Sequence, residues 1–128
     1  AMKPGSHGST FGGNPLVTAS ANAILDIITE KDFLKILEYK IGYLSKELDK
    51  LMNEFPKFIV EIRGQGFLRG LKLNDPVNNI QNELKRNKVL FVPAAENVLR
   101  LLPPLTVSIN EIDIAISALR KVANKEIK

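Results

Sequence analysis

At Pro56 the spacing of apolar residues changes from helical to extended, and this change constrains the fold more than any other feature of the chain. Upstream, Phe33, Leu37, Ile41, Leu44, Leu48, Leu51 and Phe55 recur at steps of three and four with charges opposite, so a helix with one buried face is expected from Thr29 to about Phe55. Thr29 followed by Asp32 is a weaker variant of the capping box and sets the expected start. Downstream the period is two. Phe58, Val60 and Ile62 are expected on one side of a strand, and Ile59, Glu61 and Arg63 on the other. Gly64-Gln65-Gly66 reads as a short turn into a second strand whose Phe67, Arg69, Leu71 and Leu73 share a face, an antiparallel hairpin. Asp75-Pro76 reads as the cap and first-turn proline of a short helix reaching about Asn87. Two more strands are expected, near Val89 to Val92 and Val98 to Leu102, the second ended by Pro103-Pro104, which cannot donate to a ladder. Ser108-Ile109-Asn110-Glu111 is a full capping box. It opens a last helix with Ile112, Ala115, Ile116, Leu119 and Val122 on one stripe, expected against the same sheet face as the preceding long helix. The fold class is α+β, a small and mainly antiparallel sheet packed by helices.

The N-terminal part reads differently. Gly5-Ser6-His7-Gly8-Ser9-Thr10-Phe11-Gly12-Gly13-Asn14-Pro15 has four glycines that let the backbone turn tightly, with the Ser9 and Thr10 hydroxyls beside peptide amides. Asn14 as N-cap and Pro15 in the first turn start a helix to about Ile28, whose positive end faces the loop, an arrangement suited to a phosphate. Gly-Ser-His also occurs in engineered tags, and the run matches neither of the common glycine-rich nucleotide loops. The helix that follows has almost no polar face and asks for burial on all sides, so self-association or disorder of residues 1 to about 15 is expected outside a larger assembly. A boundary near Thr29 divides residues 1–28, loop and linking helix, from residues 29–128, the compact remainder.

Composition narrows the function classes. With no cysteine and the single histidine His7, neither a disulfide framework nor a metal cluster is expected. The net charge of +4 comes from lysines scattered over helix faces, such as Lys46, Lys50, Lys85, Lys88, Lys121 and Lys125, and aromatics make up 6% with no Trp. That pattern gives no stripe or stacking platform for nucleic acid. No apolar run approaches the ~20 residues that cross a bilayer, and no secretory signal opens the chain, so no membrane partner and a cytoplasmic setting are expected.

GSHGSTFGGNPL resembles the segment that follows the cofactor-binding lysine in class III pyridoxal-phosphate-dependent aminotransferases. The likeness continues through Val60-Glu61-Ile62-Arg63-Gly64-Gln65-Gly66-Phe67-Leu68-Arg69-Gly70, then Val98-Leu99-Arg100-Leu101-Leu102-Pro103-Pro104-Leu105 and the closing helix. It covers only the C-terminal third of such enzymes and implies the small C-terminal domain of the fold-type I architecture. It places the cofactor-binding lysine and the aspartate that keeps the pyridine nitrogen protonated upstream of residue 1. No catalytic residue is therefore assigned here, and this chain alone is expected to be inactive and not to hold pyridoxal 5'-phosphate.

The resemblance assigns Thr10 to the cofactor phosphate and Ser9 to the acyl-amino-acid substrate, both reaching across a homodimer interface into the partner subunit's site. It assigns Arg100, in the RxxPPL pattern, to the substrate α-carboxylate. On pattern alone Arg100 reads first as a water-facing residue of an alternating strand, and the resemblance reverses that reading. The GSHGST variant leans toward the branch that moves an amino group between N2-acetylornithine and 2-oxoglutarate in arginine biosynthesis. Relatives acting on ornithine, succinylornithine, 4-aminobutyrate or lysine intermediates remain alternatives. Arg63 is read as structural, Arg69 as pairing with an acidic neighbour or a partner chain, and His7 as a hydrogen-bonded surface group. A different class also fits the residues, a free-standing non-catalytic module that binds an anionic metabolite or dimerises.

Overall fold

Asn14 opens the first helix as its side chain implies: Oδ1 accepts from the Val17 N–H at 3.0 Å, and α1 runs Pro15–Ile28 with proline in its first turn. This computed structural model describes residues 3–126. No residue of α1 is buried, and Leu16, Val17, Ile24, Leu25 and Ile27 are all exposed. The chain falls into two compact units, Ala1–Ile36 and Leu37–Lys128, a division inside the second helix.

That helix, α2, spans Phe33–Glu54 and starts four residues later than the capping pattern at Thr29 implied. Thr29 is already engaged by α1: its N–H and its hydroxyl both donate to the Leu25 carbonyl, at 3.0 and 2.7 Å, so it closes one helix instead of opening the next. Asp32 serves as the start by position, its carbonyl accepting from the Ile36 N–H at 3.0 Å.

The second unit is built on a four-stranded antiparallel sheet, β1 Ile59–Gln65, β2 Leu68–Leu73, β3 Val92–Ala94 and β4 Val98–Leu101, in the order β1-β2-β4-β3. Helix α3, Val77–Arg86, and a short 3-10 turn at Ala95–Asn97 lie between the strands, and α4, Ile109–Glu126, closes the chain. The expected strand from Val89 to Val92 is displaced: pairing begins at Val92, which opposes Arg100, and ends at Ala94, which opposes Val98. The hairpin tip is Gly66-Phe67, because Gly64 and Gln65 still pair with β2. Gly64 has φ of +95°, and a Cβ there would come within 2.1 Å of the Leu68 carbonyl oxygen, so only glycine fits.

Strict alternation also fails at the start of β1. The register slips between Ile59 and Glu61, so Val60 is an extra residue of a bulge. Ile59 therefore pairs with Leu73 and Ile62 with Leu71, on the same face, while Val60 is 54% exposed. Phe58, Val60 and Ile62 do not share a side, whereas Glu61 and Arg63 do.

The inward face is apolar. Ile59, Leu71, Leu73, Leu99 and Leu101 join Leu44, Leu48 and Leu51 of α2, Ile80 and Leu84 of α3, and Ile112, Ile116, Leu119 and Val122 of α4 in one core. The two long helices thus cover the same sheet face, as the stripes implied. Fully burying a leucine contributes ~1.5–3 kcal/mol. Polar contacts fix the register of α2 against α4: the Tyr43 hydroxyl donates to Asp113 Oδ1 at 2.6 Å, and Arg120 Nε donates to Glu54 Oε2 at 2.9 Å. The bond to the Asp113 carboxylate pushes the Tyr43 phenol up to about 12. The capping box of α4 is complete, with the Ser108 N–H donating to Glu111 Oε2 at 2.7 Å and the Glu111 N–H donating to Ser108 Oγ at 3.2 Å.

Helix α3 is capped from a distance. Asp75 makes no side-chain cap; instead Asn97 Oδ1 accepts from the Val77 N–H at 2.8 Å while its Nδ2 donates to the carbonyls of Leu73 and Asp75 at 2.8 and 2.7 Å. Asn97 holds φ of +62°, a conformation asparagine tolerates better than most residues. Asn97→Ala removes all three bonds and is expected to lower stability in urea denaturation by about 2–3 kcal/mol, more than a surface substitution on α3.

Candidate functional site

The two groups of residues singled out in the sequence lie in different compact units, and each is described within its own. In the first unit, the Ser9 carbonyl accepts from the Gly12 N–H at 3.3 Å, which folds the loop into a turn. A Cβ at Gly12 would lie 2.9 Å from both Cβ and Oγ of Ser9, so this glycine makes room for the serine side chain. Ser9 and Thr10 are exposed, and no hydrogen bond among the described residues engages either hydroxyl.

The donors at the start of α1 are largely used within the helix cap. Pro15 has none, Val17 donates to the Asn14 side chain, and Thr18 donates to the Asn14 carbonyl at 3.0 Å. An anion at this end therefore draws on hydroxyls and loop amides more than on the first-turn N–H groups. A phosphate suits that donor set, with two short hydroxyl side chains beside a turn that a larger residue would fill.

In the second unit, the sheet face turned away from α2 and α4 is the charged one. Alternation places Arg100 there, exposed, on interior strand β4 between Gly70 of β2 and Val92 of β3. Among the described residues Arg100 forms no ion pair. Gly70 carries no side chain beside it, and the room is taken by Val98, whose Cγ1 would lie 2.9 Å from a Cβ at that position.

Arg63 lies on the same face, one strand beyond Gly70. Its guanidinium is held by two carboxylates, Nη2 to Glu61 Oε2 at 2.9 Å and Nη1 to Glu96 Oε2 at 2.9 Å. The guanidinium holds both carboxyl groups below the usual carboxylate range, and they in turn raise its own pKa. The structural reading of Arg63 agrees with this geometry. Glu61 was legible as its partner, two residues away on one strand face. Glu96 was not, since it reaches the face only because the 95–97 turn holds it at φ of +60°.

The expected pairing of Arg69 with an acidic neighbour is contradicted. Nε donates to the Gly66 carbonyl at 2.9 Å, Nη1 to the Gly64 carbonyl at 3.0 Å and Nη2 to Ser45 Oγ, so among the described residues it ties the hairpin tip to α2 and meets no acid. His7 is exposed. The described residues contain no group of three side chains able to hold a metal ion and no helix long and apolar enough to cross a membrane.

An antiparallel α+β unit with an uncompensated guanidinium on its open face, preceded by a hydroxyl-bearing glycine turn, is the class that fold and residues define together. The chain belongs to the aminotransferase class-III family, which it matches over residues 1–123. It is 43% identical over 119 residues to an acetylornithine aminotransferase of Mesorhizobium japonicum, covering 93% of this chain and 30% of that protein. It is also similar to the crystal structure of the acetylornithine aminotransferase of Elizabethkingia anophelis, with TM-score 0.80 and 32% identity over 97% of this chain and 33% of that one. The ornithine aminotransferase of Toxoplasma gondii, whose structure shows partial occupancy of pyridoxal phosphate at its active site, aligns with TM-score 0.81 and 30% identity over 98% and 32% of the two chains. The chain thus spans about a third of the length of the relatives it matches.

The carboxyls of Glu61 and Glu96 are depressed in the folded state, so their pairing with Arg63 contributes stability above the ordinary carboxylate range and loses it as pH falls through the depressed values. Glu61→Gln combined with Glu96→Gln is expected to flatten, slightly, the loss of urea stability between roughly pH 6 and pH 3, the range where carboxylates titrate. An unchanged slope would show that the triad adds nothing in solution.

Proposed function

We propose that this chain is the C-terminal portion of an acetylornithine aminotransferase, acting within a homodimer to move an amino group between N2-acetylornithine and 2-oxoglutarate in arginine biosynthesis. The observation that carries the proposal is Arg100: an exposed guanidinium without an ion-pair partner among the described residues, in the RxxPPL pattern of a chain 43% identical to an acetylornithine aminotransferase. The cytoplasmic setting expected from the sequence belongs to the same reading. So does the division into residues 1–28, which go with the cofactor domain upstream, and residues 29–128, the small C-terminal domain.

In this reading Arg100 offers two parallel N–H groups to the α-carboxylate, which fixes both position and rotation of the amino acid. A lysine would keep the charge and lose the fork. Thr10 donates its hydroxyl to the cofactor phosphate and Ser9 faces the acyl-amino-acid substrate, each in the partner subunit's site. When bound, pyridoxal 5'-phosphate supplies the electron sink for chemistry at the amino-bearing carbon. None of the lysines here is assigned to it, and the chain by itself is read as inactive.

In a polypeptide that joins this segment to the cofactor-binding lysine, Arg100→Ala is expected to lower kcat/KM for N2-acetylornithine by roughly a hundredfold, the loss of a bidentate charge-assisted contact, with Arg100→Lys between it and the parent. Equal kcat/KM in the parent and Arg100→Ala would remove the assignment. Thr10→Ala is expected to weaken retention of pyridoxal 5'-phosphate about tenfold, measured by equilibrium dialysis, as one hydrogen bond to a charged phosphate is lost. Undiminished retention would exclude that role.

A further inference from the structure

The open sheet face carries more charge than the role of Arg100 uses. Glu61 and Arg63 of β1, Lys72 of β2 and Glu96 of the 95–97 turn gather there, two acids and two bases that offset one another. Lys72 stands opposite Glu61 in the register and contributes to holding both carboxyl groups ionised. Arg100 stands outside this balance.

Arg63, Gly70 and Arg100 form one row across three strands. Two strand spacings amount to roughly 10 Å. Gly70 adds no side chain of its own between the two arginines, and only the Val98 Cγ1 methyl lies over it, 2.9 Å from where a Cβ would stand. Two guanidinium groups leaning inward over that gap would take the two ends of a five-carbon dicarboxylate. Arg63 does not lean inward, because each of its terminal nitrogens is already bonded to a carboxylate.

We infer that Glu61 and Glu96 determine specificity on this face: by engaging Arg63 they leave Arg100 as its single carboxylate anchor and prevent a dicarboxylate from bridging the row. This inference rests on Arg100 receiving a carboxylate, as proposed above. It adds that the second arginine is kept out of ligand binding by design of its neighbours and not by distance.

The test uses a polypeptide that joins this segment to the cofactor-binding lysine, with isotope-labelled arginine, titrated with acetate and with glutarate while the Arg63 and Arg100 guanidinium resonances are followed by NMR. In the parent, Arg100 resonances move with both ligands and Arg63 stays still. In Glu61→Gln/Glu96→Gln, Arg63 also moves with glutarate, and the glutarate Kd falls about tenfold with acetate unchanged, as one further charge-assisted contact forms. Adding Arg63→Gln restores the parent's affinity, a reversal that a purely structural triad would not give. Movement of Arg63 with glutarate in the parent, or no gain in the double variant while Arg100 still responds, overturns the inference and leaves the role of Arg100 intact. Silence of Arg100 toward both ligands in every variant overturns that role and this inference with it.

Discussion

One-sided burial of the sheet is the constraint on which the second unit depends. Leu71 and Leu99 are fully buried on one face, against Leu44 and Leu48 of α2 and Leu119 and Val122 of α4. Because side chains alternate along a strand, placing these leucines inward obliges Gly70, Lys72 and Arg100 to stand on the other face. Packing therefore presents the charged row, and a slip of one residue in β4 would bury Arg100 and expose Leu99.

The bulge at Val60 keeps that arrangement intact at the edge strand. Without an extra residue there, Ile59 and Ile62 could not both face inward, since they are three positions apart. Its cost is an exposed valine. Nothing in the local sequence announces it, because a bulge is defined by how β1 meets β2, and alternation read from one strand alone gives the wrong side for Val60.

Elements whose signals are local were the most legible. The limits of α1 follow from Asn14, Pro15 and the apolar run, and the start of α4 follows from a capping box whose partners are three residues apart. The start of α2 was misread because one side chain, Thr29, has two helices to choose between and serves the earlier one. At the open face, Arg100 was visible as the only charge in an apolar run. The grip on Arg63 was half visible, since Glu61 is near in sequence while Glu96 depends on a left-handed turn 33 positions away. The expected ion pair of Arg69 failed because hairpin carbonyls and Ser45 satisfy the guanidinium first.

The remote cap of α3 has a consequence for the order in which the chain can mature. Val77 donates its first-turn hydrogen to a residue twenty positions later, so a nascent chain that has emerged only through Arg86 exposes a helix start with no side chain to close it. Completion of that start must await emergence of the 95–97 turn, and the same asparagine then clasps the end of β2. One residue thereby couples a helix, a strand end and a tight turn.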